Sequence, residues 1–260
     1  MAGPALKLSS VTKSFGRHQV LAGIDLDVPA GGSVVVIGPS GTGKTVLLKT
    51  LIGVYARDGG TVLVDGADVA ALDGDGQRAL YGRFGMLFQK SGLFDSLPVW
   101  ENVAFQLLQQ DGMTRKDARD RAIEKLGQVG LAPEEADLFP SELSGGMQKR
   151  VGIARAMAAD PDVLLLDEPT AGLDPIMSNI INDLILEVME RTGATVISVN
   201  SDMRGAKKIA TTAAMLYDGH VIWTGPTETM HQSGHTHVDQ FVNSRAEGPI
   251  PTIVDPAAVA

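Results

Sequence analysis

Ser33-Val34-Val35-Val36-Ile37-Gly38-Pro39-Ser40-Gly41-Thr42-Gly43-Lys44-Thr45 joins a β-branched run to a glycine-rich turn, and the architecture follows from that junction. Four consecutive apolar residues between glycines read as a strand buried on both faces, as in a parallel sheet covered by helices. Gly38 to Thr45 fits G-x-x-x-x-G-K-[ST] and leads into a segment, Lys44 to Gly53, that reads as a helix. Glycines let successive backbone N–H groups curl inward around phosphate oxygens, and the helix that follows adds the positive end of its dipole. On this reading Lys44 reaches the β- and γ-phosphates and the Thr45 hydroxyl holds Mg²⁺.

Outward from that loop the chain alternates strands and helices. Leu6 to Val11, Gln19 to Val28, Thr61 to Val64 and Phe84 to Phe88 read as strands, with Pro29-Ala30-Gly31-Gly32 as punctuation. Apolar residues at three- and four-residue spacing predict helices over Val103 to Gln110, Arg115 to Val129 and Ser144 to Ala158. Strands return at Val163 to Leu166 and Thr195 to Val199 around a helix from Ile176 to Arg191. Ala213 to Tyr217 and His220 to Thr224 form a closing hairpin over Asp218-Gly219. The expectation is an α/β core, residues 5–88 and 161–225, interrupted by a helical insertion over 89–160. A Pro/Ala-rich tail, 246–260, follows a cassette domain spanning 5–245.

Composition narrows the function. Among 260 residues the net charge is −9, which argues against a nucleic-acid partner. No cysteine is present, which removes disulfides, iron–sulfur ligation and thiol catalysis. The absence of a basic-then-apolar N-terminal stretch and of any long apolar run predicts a soluble cytoplasmic protein.

Two further motifs share the chemistry. Val163-Leu164-Leu165-Leu166-Asp167-Glu168 places two acids at the C-terminal end of a buried strand, the edge where open parallel sheets bind ligands. Asp167 there suits Mg²⁺ and Glu168 suits polarising a water. Leu143-Ser144-Gly145-Gly146-Met147-Gln148-Lys149-Arg150 opens a helix with free N–H groups, a second anion-binding terminus. Lys149 and Arg150 read as a solvated or interface face of that helix.

With these motifs in this order, the chain resembles the ATP-binding-cassette ATPases over about residues 5–225. The resemblance implies a P-loop fold with a RecA-like parallel-sheet core, an antiparallel β-subdomain and a helical subdomain. It further implies that Phe15 stacks on adenine and that Gln89 senses Mg²⁺ and the membrane partner. Ser144, Gly145, Gly146 and Gln148 belong to the family signature, Asp167-Glu168 to its Walker B pair, and Asp174 in Ala171-Gly172-Leu173-Asp174 to its D-loop. By the same resemblance two copies pair head to tail and bury two ATP molecules, each between one copy's phosphate loop and the other's signature.

The sequence departs from the family at one position. Val199-Asn200-Ser201-Asp202 places Ser201 where a γ-phosphate histidine is expected. A hydroxyl donates one hydrogen bond and cannot carry positive charge. The expectation is hydrolysis weakened but not abolished, with an ATP-gated regulator as the rival reading.

The segment after Gln89, Ser91-Gly92-Leu93-Phe94-Asp95-Ser96-Leu97-Pro98-Val99-Trp100-Glu101-Asn102-Val103-Ala104-Phe105, is similar to the ATPases of bacterial Mla- and Mce-type lipid transporters. That similarity implies a homodimer beneath permease subunits docked in the groove near Gln89 to Phe105, on the cytoplasmic face of the inner membrane. A lipid-binding MCE-type protein then lies beyond the permease. An importer of amino acids or other solutes, and a soluble cassette ATPase, are the alternatives. His231, His235 and His237 lie in a Gly/Ser/Thr-rich stretch without an acidic or cysteine partner in sequence. Asp73-Gly74-Asp75-Gly76 reads as a turn-forming linker rather than a calcium loop.

Overall fold

A computed structural model describes residues 2–109 and 113–251. Its first strands form a hairpin, β1 (Leu6–Phe15) against β2 (His18–Val28), antiparallel and interrupted by register shifts around Ser9 and Ser10. The β-branched run is β3 (Ser33–Ile37), buried along its whole length, and the glycine loop feeds α1 (Lys44–Leu51). β4 (Gly59–Val64) pairs with β1, and the short β5 (Ala67–Asp68) extends that sheet. Next come α2 (Gly74–Tyr81) and β6 (Phe84–Leu87). The helical stretch holds α3 (Val99–Ala104), α4 (Arg115–Gln128) and α5 (Gly145–Met157). The core resumes with β7 (Val163–Asp167), α6 (Pro175–Thr192), β8 (Thr195–Val199), α7 (Met203–Ile209), β9 (Thr212–Tyr217), β10 (His220–Pro226) and α8 (Thr236–Val242).

Two sheets result. The antiparallel one has the order β2-β1-β4-β5, and the larger one the order β10-β9-β3-β8-β7-β6, parallel except for the β10 edge. Strand alternation explains why the central runs are apolar throughout. Val34, Val36, Val163 and Leu165 face the core shared with the antiparallel sheet and α1, while Leu164 and Leu166 face the core built by α5, α6 and the helical stretch. Val35 and Ile37 point into a third cluster with Val238 and Val242 of α8. Both faces of the sheet are dry, so only its strand ends are open for chemistry.

The structure differs from the sequence expectation in several elements. Asp73 to Gly76 is the start of a helix, because the Asp73 carboxylate accepts the Gly76 N–H at 2.8 Å and caps α2. The helix expected over 103–110 begins earlier, with Pro98 as its N-cap, and gives way after Ala104 to a 3₁₀ turn over Leu107–Gln109; Gln110 lies outside the described residues. His235 and His237 sit at the N-terminus of α8 with ring centroids 5.5 Å apart, and His237 packs on Tyr217. The tail is described through Pro251, and 252–260 lie outside the described residues. Its start is held by Gln240, whose amide donates to the Ile250 carbonyl and accepts the Ile250 N–H, at 2.9 and 2.7 Å.

Candidate active site

The C-terminal ends of β3, β6, β7 and β8 converge on a cavity of about 420 Å³ lined by Phe15, Ser40, Gly41, Gly43, Lys44, Thr45, Gln89 and Glu168, among others. The loop before α1 is shaped by glycine. Gly38 has φ 143°, and a Cβ there would stand 2.2 Å from the Leu216 carbonyl; Gly43 is left-handed at φ 98° and caps α1 without any side chain. The first turn of α1 carries no acidic residue, so its N–H groups and dipole face the cavity unneutralised. Pro39 is held in the loop by its carbonyl, which accepts from the Thr42 hydroxyl at 3.0 Å. Lys44 is buried and folds back on the loop, donating to the Gly38 and Pro39 carbonyls at 2.8 and 2.7 Å. Burial lowers its pKa, while the Glu168 and Asp167 carboxylates oppose that shift.

The Thr45 hydroxyl lies 3.0 Å from both carboxylate oxygens of Asp167, which is 1% exposed. Burial pushes the Asp167 carboxyl above its ordinary range; the Thr45 hydrogen bond works against the rise and neighbouring Glu168 adds to it. A hydroxyl and a carboxylate, hard oxygen donors beside a phosphate cradle, fit Mg²⁺. Glu168 follows at φ 49°, a left-handed backbone uncommon for a side-chain-bearing residue and concentrated at functional positions. Its carboxylate accepts the Ser201 hydroxyl at 2.8 Å and the Ser201 N–H at 3.1 Å. The serine at the family's histidine position therefore contacts the acid of the site.

The other expected residues occupy two neighbourhoods. Phe15 is 43% exposed at the cavity rim, edge-on to Tyr55 at 5.1 Å, with the Lys13 ammonium 5.4 Å from its ring. Tyr55 was not singled out by the sequence, because a lone tyrosine in a turn carries no motif. Ser144, Gly145, Gly146 and Gln148 belong to the first turn of α5 and do not line this cavity. Ser144 caps the helix through the Met147 N–H at 3.3 Å. The Gln148 amide donates to the Pro140 and Leu143 carbonyls, at 2.9 and 3.3 Å, and so fixes the turn ahead of the cap. Asp174 caps α6, accepting from the Ile176 and Met177 N–H groups.

The solvated reading of Lys149 does not hold. Lys149 is 5% exposed, and its ammonium donates to the Gln89 carbonyl and, at 3.2 Å, to the Glu168 carbonyl. Arg150 does lie at the surface of the helix, donating to the Val129 and Gly130 carbonyls at 3.3 Å. The motif gave no sign of Lys149's burial; only the packing of α5 against the Gln89 segment creates it.

A second cavity, about 490 Å³ and mostly apolar, is built from residues close to Gln89 in the chain together with residues of α5. It is lined by Ile52, Met86, Phe88, Phe94, Phe105 and Arg155, among others. Buried Asn102 shapes its rim, exchanging hydrogen bonds with both the Phe94 N–H and carbonyl and donating to the Leu97 and Pro98 carbonyls. Of the apolar residues in this segment Trp100 is in the core, whereas Phe94 and Phe105 remain 43% and 42% exposed with ring centroids 4.7 Å apart.

A phosphate-cradling loop, a buried threonine–aspartate pair and a strained glutamate at one sheet edge define a P-loop ATPase site. Residues 21–171 match the family described as ABC transporter, and the chain belongs to that family: it is an ATP-binding ATPase coupled to transport. Over 248 residues it is 39% identical to the probable ribonucleotide transport ATP-binding protein Mkl of Mycobacterium leprae, covering 95% of this chain and 71% of that one. It is 35% identical over 244 residues to the intermembrane phospholipid transport system ATP-binding protein MlaF of Escherichia coli, covering 94% and 90%. Its fold matches the dimeric structure of the bacterial ABC transporter cassette MJ0796 with a TM-score of 0.78 at 32% identity, over 85% of this chain and 98% of that one. The same cassette is known in a post-hydrolysis dimer bound to ADP and Pi, similar to this chain with a TM-score of 0.77 at 32% identity over the same shares. Among the described residues no helix is long and apolar enough to cross a membrane.

Proposed function

We propose that this chain is the motor subunit of a transporter that moves phospholipid between bacterial membranes. Two copies pair head to tail, each ATP lying between one copy's Gly38–Thr45 loop and its partner's Ser144–Gly146 turn. Phe15 stacks on the adenine, and Lys44 turns from its loop carbonyls to the phosphates. Thr45, Asp167 and Gln89 would hold Mg²⁺, which would supply positive charge to the phosphate oxygens. Glu168 accepts a proton from the water whose oxygen bonds to the γ-phosphorus, while the bond from that phosphorus to the β–γ bridging oxygen breaks to leave ADP and inorganic phosphate. Permease subunits seat on the apolar groove beside Phe94 and Phe105, which holds the chain at the cytoplasmic face of the inner membrane. An MCE-type lipid-binding protein takes part beyond them.

The observation that carries the catalytic half is the Thr45–Asp167 pair next to the Glu168 carboxylate at the mouth of the phosphate loop. Support for phospholipid as cargo comes from near full-length similarity to MlaF. Steady-state ATP turnover of the complex tests the reading: Glu168→Gln lowers kcat about a hundredfold or more, and wild-type turnover in that variant contradicts it. One observation favours a second reading, a slow ATP-gated clamp. The Ser201 hydroxyl donates to the Glu168 carboxylate, and a serine there cannot carry the positive charge of a histidine. Ser201→His discriminates the two, since a motor turns over comparably with either residue and a clamp becomes active only with histidine.

A further inference from the structure

We propose that Lys149 is a positioning residue that ties the signature end of α5 to the Gln89 segment and to the Glu168 turn, so that the three shift together. The inference rests on the catalytic reading of Glu168 given above. A lysine that is 5% exposed is stable only where its ammonium N–H groups are taken up. Here they go to two backbone carbonyls from separate parts of the chain, Gln89 beyond the end of β6 and Glu168 beyond the end of β7. Neither carbonyl belongs to a strand or helix, so without Lys149 each loses a buried partner.

The Glu168 carbonyl is the critical one. The left-handed backbone of Glu168 persists only if its surroundings over-determine it. Four contacts do so: its N–H donates to the Val199 carbonyl at 2.9 Å, its carboxylate accepts from Ser201, and its carbonyl accepts from the Ala171 N–H, at 3.2 Å, and from Lys149. The same helix grips the Gln89 segment a second time. Arg155, nearly two turns further along, donates to the Ser91 and Gly92 carbonyls at 2.8 and 2.6 Å. Arg155 therefore couples α5 to the groove wall, and Lys149 extends that coupling to the acid. A displacement of the groove reaches Glu168 through these two charged side chains.

Turnover of the assembled transporter, chain plus permease, tests this with Lys149→Met, which keeps bulk and removes charge and donors, and with Lys149→Arg. The expected result for Lys149→Met is a kcat about a hundredfold lower, an ATP KM within about twofold of wild type, and a melting temperature lowered by the lost hydrogen bonds but still above the assay temperature. Lys149→Arg recovers most of the turnover. If the Met variant does not fold, Lys149→Leu, which likewise removes charge and donors, is read the same way. Wild-type kcat in the charge-free variant overturns the proposal, as does a loss that merely follows the folded fraction. Glu168→Gln measured in parallel separates the failures. If Glu168→Gln is inactive and Lys149→Met is active, only the role of Lys149 falls; if Glu168→Gln turns over normally, the catalytic reading falls with it.

Discussion

The Asp167 carboxyl sits in the unliganded site at an electrostatic cost. Burial raises its pKa above that of an unfolded carboxyl, so the native chain binds more protons through that window and stability falls as pH rises across it. The penalty is complete only above the raised pKa. Asp167→Asn removes it while keeping an acceptor for Thr45, and in the absence of Mg²⁺ and nucleotide it should raise the melting temperature by about 3 °C. The gain shrinks as pH falls through the raised pKa, where wild-type Asp167 takes up its proton. A calorimetric melt in which the Asn variant is less stable at slightly alkaline pH contradicts this account. At this scale the sequence was legible where chemistry dictates spacing, as in Gly38 to Thr45 and Asp167-Glu168. It was silent on Lys149, because burial of a lysine depends on which carbonyls the packed helix happens to meet.

Among the elements, β6 and α5 approach each other more closely than any side chain allows. A Cβ on Gly85 would stand 1.9 Å from the Ala156 carbonyl, a backbone atom that cannot step aside. Gly85→Ala is therefore expected to cost about 3 kcal/mol in chemical denaturation by prising α5 from the sheet, and ATPase activity should fall with it. A cost below about 1 kcal/mol means that the helix relaxes freely. The strands were legible because Val34 to Ile37 and Val163 to Leu166 are continuous apolar runs, and Thr195 to Val199 a β-branched run broken only by Ser198, between turn residues. The short helices α2, α7 and α8 were not, since seven or eight residues carry too little periodicity. The caps of α2 and α7 were nonetheless written in the chain: Asp73 accepts one N–H and Asp202 two from the helix each opens. In α2 the glycines on either side of Asp75 disguised the helix as a turn.

For the whole molecule the decisive feature is that one segment contributes to two surfaces, Gln89 lining the phosphate cavity and Phe88, Gly92 and Phe94 the apolar groove. Phe94→Asp puts a charge on the groove rim without touching the cavity. It is expected to abolish co-purification with the permease while ATP affinity stays within about twofold, and retained co-purification would place the permease elsewhere. The groove's chemistry was visible in the sequence as Leu93, Phe94, Leu97 and Trp100, but their division between core and surface was not, because Asn102 decides it through hydrogen bonds to residues 94–98.

The central claim joins the two surfaces, with hydrolysis at Glu168 driving lipid movement through the permease. Its most direct measurement is transfer of labelled phospholipid between vesicles by the reconstituted complex, with wild-type chain and with Glu168→Gln, in Mg-ATP. The account predicts sustained ATP-dependent transfer by the wild type and none beyond background by the variant. Equal transfer by both proteins, or wild-type hydrolysis with no lipid moved, would contradict it.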